Sequence, residues 1–166
     1  PDPATFIAEP LTGLTLTDSG VDWDVRPKID RPVVGLCWAS DKPKWRFGTP
    51  DRYHFFLENF AKGLRRLVKD LDGVVLMIEH IGGIDHEARK VFHEFLDPYL
   101  VSTEESMPEL YPAQIKHVAD IASLYSVCDL VFSARKHGLW LPAGRGIPAV
   151  PIGDVKEVRW TGNSIG

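Results

Sequence analysis

At 166 residues the chain holds about one domain, taking ~150 residues as a typical unit. With 44% hydrophobic and 25% charged residues it is neither disordered nor collagen-like, and it is long enough to bury a core without disulfides or metal. A net charge of −4 argues against nucleic acid as a partner, and no apolar run approaches the roughly 20 residues of a membrane span. Cys37 and Cys128 stand far apart with no C-x-x-C, and no signal-peptide pattern is visible. Together these predict reduced thiols and a cytoplasmic location.

Residues 1–31 are punctuated by Pro1, Pro3, Pro10, Pro27, Gly13 and Gly20. They read as an extended lead-in or interdomain linker, with one edge strand at Leu14–Thr17. Residues 32–166 then alternate regularly and form the predicted domain. Val33–Trp38 is a short β-branched run, expected as a buried strand. A loop from Ser40 to Thr49 carries Lys42, Lys44, Trp45 and Arg46. Thr49-Pro50 is a helix start, a hydroxyl cap followed by proline in the first turn. From Tyr53 to Leu71 apolar residues recur at threes and fours, and Gly73 is the expected stop.

Val74–Ile78 is apolar throughout, which predicts a strand covered on both faces. After the turn Glu79–Gly83, Asp85 is placed to cap a second helix that Pro98 ends. Tyr99–Ser102 reads as a short strand, and about 112–127 as a third helix. Leu130–Ser133 is again a buried strand. A short helix follows His137-Gly138, Gly146 stops it, and Ala149–Ile152 is a further strand. Strands alternating with amphipathic helices predict an α/β, Rossmann-like parallel sheet covered by helices. Ligands bind such sheets beyond the carboxyl ends of the strands, so the loops 40–49, 79–85 and 134–138 are expected on one edge.

The most informative stretch is Ser133-Ala-Arg135-Lys136-His137-Gly138. From Leu130 to Gly153 there is no Asp or Glu, while Arg135, Lys136 and Arg145 are present. Arginine grips phosphate or carboxylate bidentately, and an imidazole can transfer a proton near neutral pH. An anion site is one reading of this turn, and a solvated basic turn is the other. His86 and His93 lie on one helix face, but no H-E-x-x-H or tight cluster accompanies them, so neither metal nor cofactor is expected. Trp38, Trp45, Trp140 and Trp160 are candidate stacking faces for a sugar ring, though large aromatics more often pack in a core. Trp45, between two cations in a loop, is the best placed of them.

Ser133-x-Arg135-x-His137-Gly138, with Gly146-Ile-Pro148 beyond it, resembles the signature of polysaccharide pyruvyl transferases, which read Arg-Leu-His here and then Gly-x-Pro. Cys128-Asp129-Leu-Val resembles the family's lead into this strand. Glu79-His80 with Asp85 resembles its Pro-x-His turn, and Lys156 a lysine beyond its last strand. The likeness covers about 32–156. It implies a GT-B-like transferase that moves pyruvyl from phosphoenolpyruvate onto a saccharide acceptor as a ketal, with this chain as the C-terminal half and an N-terminal Rossmann-like domain outside it. It also implies His137 and Arg135 as the catalytic pair. Ser133, Lys136, Gly138, His80, Asp85, Lys42, Trp45 and Lys156 are the expected substrate contacts. The chain differs from the pattern at Lys136, at Pro142 inside the short helix, and at Trp38-Ala39-Ser40, where the family's first strand tends to end in arginine.

Val33–Ser40 also resembles the first strand of the C-terminal half of heptosyltransferase-like glycosyltransferases. That likeness implies a sugar nucleotide held by the same loops. A non-catalytic binding or assembly module is the third expectation.

Overall fold

The computed structural model describes residues 30–39, 48–78, 86–100 and 118–153. Among these residues four strands form one all-parallel sheet in the order β2-β1-β3-β4. They are β1 (Val33–Cys37), β2 (Val74–Met77), β3 (Leu130–Ser133) and β4 (Ala149–Pro151). The connecting helices are α1 (Pro50–Asp70), α2 (His86–Leu96), α3 (Val118–Ser126) and α4 (His137–Ala143). The expected α/β, Rossmann-like class is therefore what the chain adopts.

Register is fixed along the whole of β1. Val33 pairs Val74 and Leu36 pairs Met77 on one side, while Val34 pairs Leu130 and Cys37 pairs Ser133 on the other. Beyond β2, Leu100 makes a single parallel bridge to Val75. The expected strand at 99–102 shrinks to that bridge within the described residues, because Asp97–Tyr99 closes a 3-10 turn immediately before it. With the bridge counted as a third position, the order is that of a doubly wound sheet, 3-2-1-4-5. The chain builds outward from β1 to one side, then returns to build the other side through β3.

The continuous apolar runs of β1 and β2 follow from this. A central parallel strand is covered on both faces, so alternate residues enter different cores. Val34, Leu36 and Trp38 pack with Val75 against α1 and α2. Val33 and Cys37 pack with Leu76 and Val131 against α3 and α4. Helix α1 begins as its sequence predicts: Thr49 Oγ1 accepts from Arg52 N at 3.2 Å, and Pro50 occupies the first turn.

Helix α1 ends differently from expectation. The residue in the left-handed region is Asp72 (φ 49°), and Gly73 lies one position beyond it. Gly73 N donates to Val68 O at 2.7 Å and Asp72 N to Lys69 O at 3.2 Å, the paired bonds of a Schellman turn. Aspartate tolerates that conformation better than most residues. Gly73 is needed for space: a Cβ there would sit 2.8 Å from the Pro32 carbonyl oxygen. Arg31 clamps the same turn, with Nε donating to Asp72 O and Nη2 to Asp72 Oδ1, both at 2.8 Å.

Trp38, a candidate stacking face by sequence, is 1% exposed and belongs to the core. Its ring lies 5.3 Å from Phe60 and 5.2 Å from Phe92, and Nε1 donates to Tyr53 Oη at 3.2 Å. Trp38→Ala should lower the unfolding free energy by about 3–5 kcal/mol in chemical denaturation. A loss below about 1 kcal/mol would show that this aromatic cluster does not hold the helices to the sheet.

Candidate functional site

The sheet order decides which loops meet. Strand β1 lies between β2 and β3, so the segments leaving all three begin side by side on the carboxyl edge. The switch point, where connections diverge to opposite sides, falls between the ends of β1 and β3. Ladder bonds persist there: Ala134 N donates to Cys37 O at 2.9 Å, and Ile78 N to Leu36 O at 2.9 Å. Lys42, Trp45, His80, Asp85 and Lys156 lie outside the described residues, as do Trp160 and most of the lead-in at 1–31.

The turn leaving β3 is built by Ser133. Its hydroxyl accepts from Arg135 N at 3.0 Å and donates to Arg135 O at 2.8 Å, and the residue is fully buried. Ser133 therefore shapes the backbone that presents Arg135. Arg135, partly buried, directs Nε to the Trp38 carbonyl at 3.3 Å, across the gap between the ends of β1 and β3. Lys136 is partly buried and His137 exposed, so three basic residues follow one another where the two strand ends meet.

Gly138 is buried, and its role here is steric. A Cβ on it would run into Ser133 Oγ and come within 3.0 Å of both Cys37 Sγ and Tyr125 Oη. The missing side chain lets the first turn of α4 close onto β1, β3 and α3 together. Pro142 has no N–H to give the Gly138 carbonyl, so this seven-residue helix forgoes one bond there, and the ladder resumes beyond it with Gly144 N donating to Trp140 O at 3.0 Å.

Beneath the turn lies a buried polar group. Burial holds the Tyr125 phenol well above the usual tyrosine range; the charge and hydrogen bond of Cys37 and the charge of Cys128 act the same way, and Arg135 opposes them. Both cysteines are buried free thiols. Neither the Cys37–Tyr125 contact nor the approach of Gly138 to Cys37 could be read from the chain, because each joins segments some ninety to a hundred residues apart.

Arg145, grouped by sequence with the cationic turn, is carried away from it. Helix α4 returns against the strand direction, so Arg145 lies toward the amino edge, where Nη1 bonds Ser126 Oγ. Desolvation lowers its pKa from the ordinary arginine value. Among the described residues no group of three His, Cys, Asp or Glu side chains is placed to hold a metal, and His93 lies 3.6 Å from Asp97 in the 3-10 turn that follows its helix. No protein-family model, curated protein or solved structure matches the chain.

Gly138→Ala should destabilise the fold by about 1–3 kcal/mol through overpacking. Adding Ser133→Ala removes the nearest obstructing atom and should restore part of that loss; no recovery would show that the close approach is not the cause. Tyr125 gives a pH prediction. Because its folded pKa is raised, its contribution is intact below the unfolded value near 10 and is lost as pH rises further. In Tyr125→Phe the stability–pH slope above about 10 should flatten, which denaturation at a series of alkaline pH values measures.

Proposed function

We propose that this chain is the donor-binding domain of a transferase resembling polysaccharide pyruvyl transferases, with phosphoenolpyruvate as donor and a sugar as acceptor. The observation that carries the reading is the bond from Arg135 Nε to the Trp38 carbonyl. It fixes a guanidinium over the switch point, with Lys136 and His137 following on the same turn. Open α/β sheets hold their ligands at this place, and a small dianion or trianion is what such a concentration of cations would attract.

In this reading Arg135 and Lys136 pair with phosphate and carboxylate oxygens, and His137 handles the proton. Protonation of the donor's methylene carbon makes a methyl group and leaves a cationic centre at the adjacent carbon. One sugar hydroxyl adds there, the carbon–oxygen bond to phosphate breaks, and a second hydroxyl closes the ketal. Of the two hydroxyl protons released, one balances the proton taken up by carbon and the other leaves with phosphate. In this reading His137, exposed on the same turn, delivers the first proton.

A thermal-shift series with phosphoenolpyruvate tests the assignment. Stabilisation should grow as RT ln(1 + [L]/Kd) in the native chain. It should be lost in Arg135→Ala and weakened in Lys136→Ala, which leaves the Arg135–Trp38 bond in place and so serves as the folding control. Protection by a sugar nucleotide and none by phosphoenolpyruvate would replace the reading with the glycosyl-transfer one. Protection by neither would leave a non-catalytic module.

A further inference from the structure

The outward face of α1 carries a pattern that the carboxyl edge does not use. The core face of this helix is made by Tyr53, Leu57, Ala61, Leu64 and Val68. At about 100° per residue, Phe55, Lys62, Arg66 and Lys69 fall within roughly 60° of one another, with Arg65 beside them, some 150° from the centre of that core face. The row runs about 21 Å along the axis. Phe55 is 73% exposed, and the side chains of Lys62 and Arg66 are 55% and 87% exposed. Arg65 and Lys69 are exposed as well.

Between Glu58 and Asp70 the helix has four cations and no acid, in a chain whose net charge is −4. The row's acidic neighbours are Glu58, which falls between Phe55 and Lys62, and Asp51 and Asp70 at the two ends. Glu58 lies 3.4 Å from Lys62, and Asp70 lies 3.9 Å from Arg66, both as solvent-exposed pairs that contribute little energy. Lys62 Nζ also lies 5.3 Å from the centre of the Phe95 ring on α2, which steadies that lysine beside the row.

We propose that this face of α1 docks on an anionic phospholipid surface. The cations alone would suit any polyanion; the exposed aromatic in line with them distinguishes a bilayer. Headgroup phosphates and carboxylates neutralise the row while the Phe55 ring enters the interfacial zone. The chain's overall negative charge does not oppose this, because screening confines the interaction to about 8–10 Å and a flat surface meets one face only. A flexible nucleic acid would wrap toward the acidic remainder of the surface.

Co-sedimentation of the full chain with vesicles tests the proposal. At low salt the protein should bind phosphatidylcholine vesicles containing about a third phosphatidylserine, and should not bind pure phosphatidylcholine. Arg65→Glu with Arg66→Glu should weaken binding by at least about twenty-fold, as expected for reversing two surface cations. Phe55→Ser should weaken it while leaving the salt dependence unchanged. Both variants alter exposed positions, so their melting temperatures should match that of the native chain. Equal binding to neutral vesicles would overturn the proposal, as would undiminished binding by the double variant. Equally tight, equally sensitive binding to duplex DNA would also overturn it, in favour of a general polyanion face.

Discussion

The bond from Arg135 Nε to the Trp38 carbonyl joins residues 97 positions apart and depends on the pairing of β1 with β3 beneath it. That pairing is the constraint on which the candidate site rests. Strand β1 must be apolar on both faces to lie in the middle of the sheet, and its ladder with β3 must hold Cys37 opposite Ser133 for the two strand ends to arrive level. A slip of one residue would turn Trp38 out of its aromatic cluster and move Ser133 away from the turn it shapes. Core packing and site geometry are thus set by the same register.

The turn after β3 separates two kinds of residue that look alike in a motif. Ser133 and Gly138 flank the cations, yet both face inward: one closes hydrogen bonds with the Arg135 backbone, and the other makes room for α3 and the end of β1. Arg135 and Lys136, half-buried, and His137, exposed, stand between them. The flanking residues fix the path of the backbone, and the residues between them are left to face whatever occupies the crevice.

The architecture was legible because its cause is local. Unbroken apolar runs of four or five residues, alternating with one-sided helical stripes, have few solutions besides a covered parallel sheet. The start of α1 was equally legible, since Thr49 and Pro50 act within a single turn. Strand order was not legible, because pairing between β1 and β3 is decided by segments far apart. The same holds for Trp38, whose place in a core rather than a crevice depends on Phe60 and Phe92 arriving from two different helices. At the end of α1, the sequence pointed to Gly73 for its backbone freedom, whereas the left-handed residue is Asp72 and the glycine relieves crowding against Pro32. Arg145 was drawn into the cationic group by proximity in the chain; the reversal of direction through α4 undoes that proximity.

The clamp of Arg31 on the Asp72–Gly73 turn sets where the chain is threaded into the sheet. Arg31 precedes β1, so it lies on the amino side, while Gly153 follows β4 and lies on the carboxyl side. Arg31 and the basic turn are thereby separated by the height of the strands, about 17 Å for five residues at ~3.3 Å each. Gly153 stands on the near rim. The two rims are therefore unequal as points of attachment: a group fixed at Gly153 starts level with the crevice, whereas one fixed at Arg31 starts a full strand length below it.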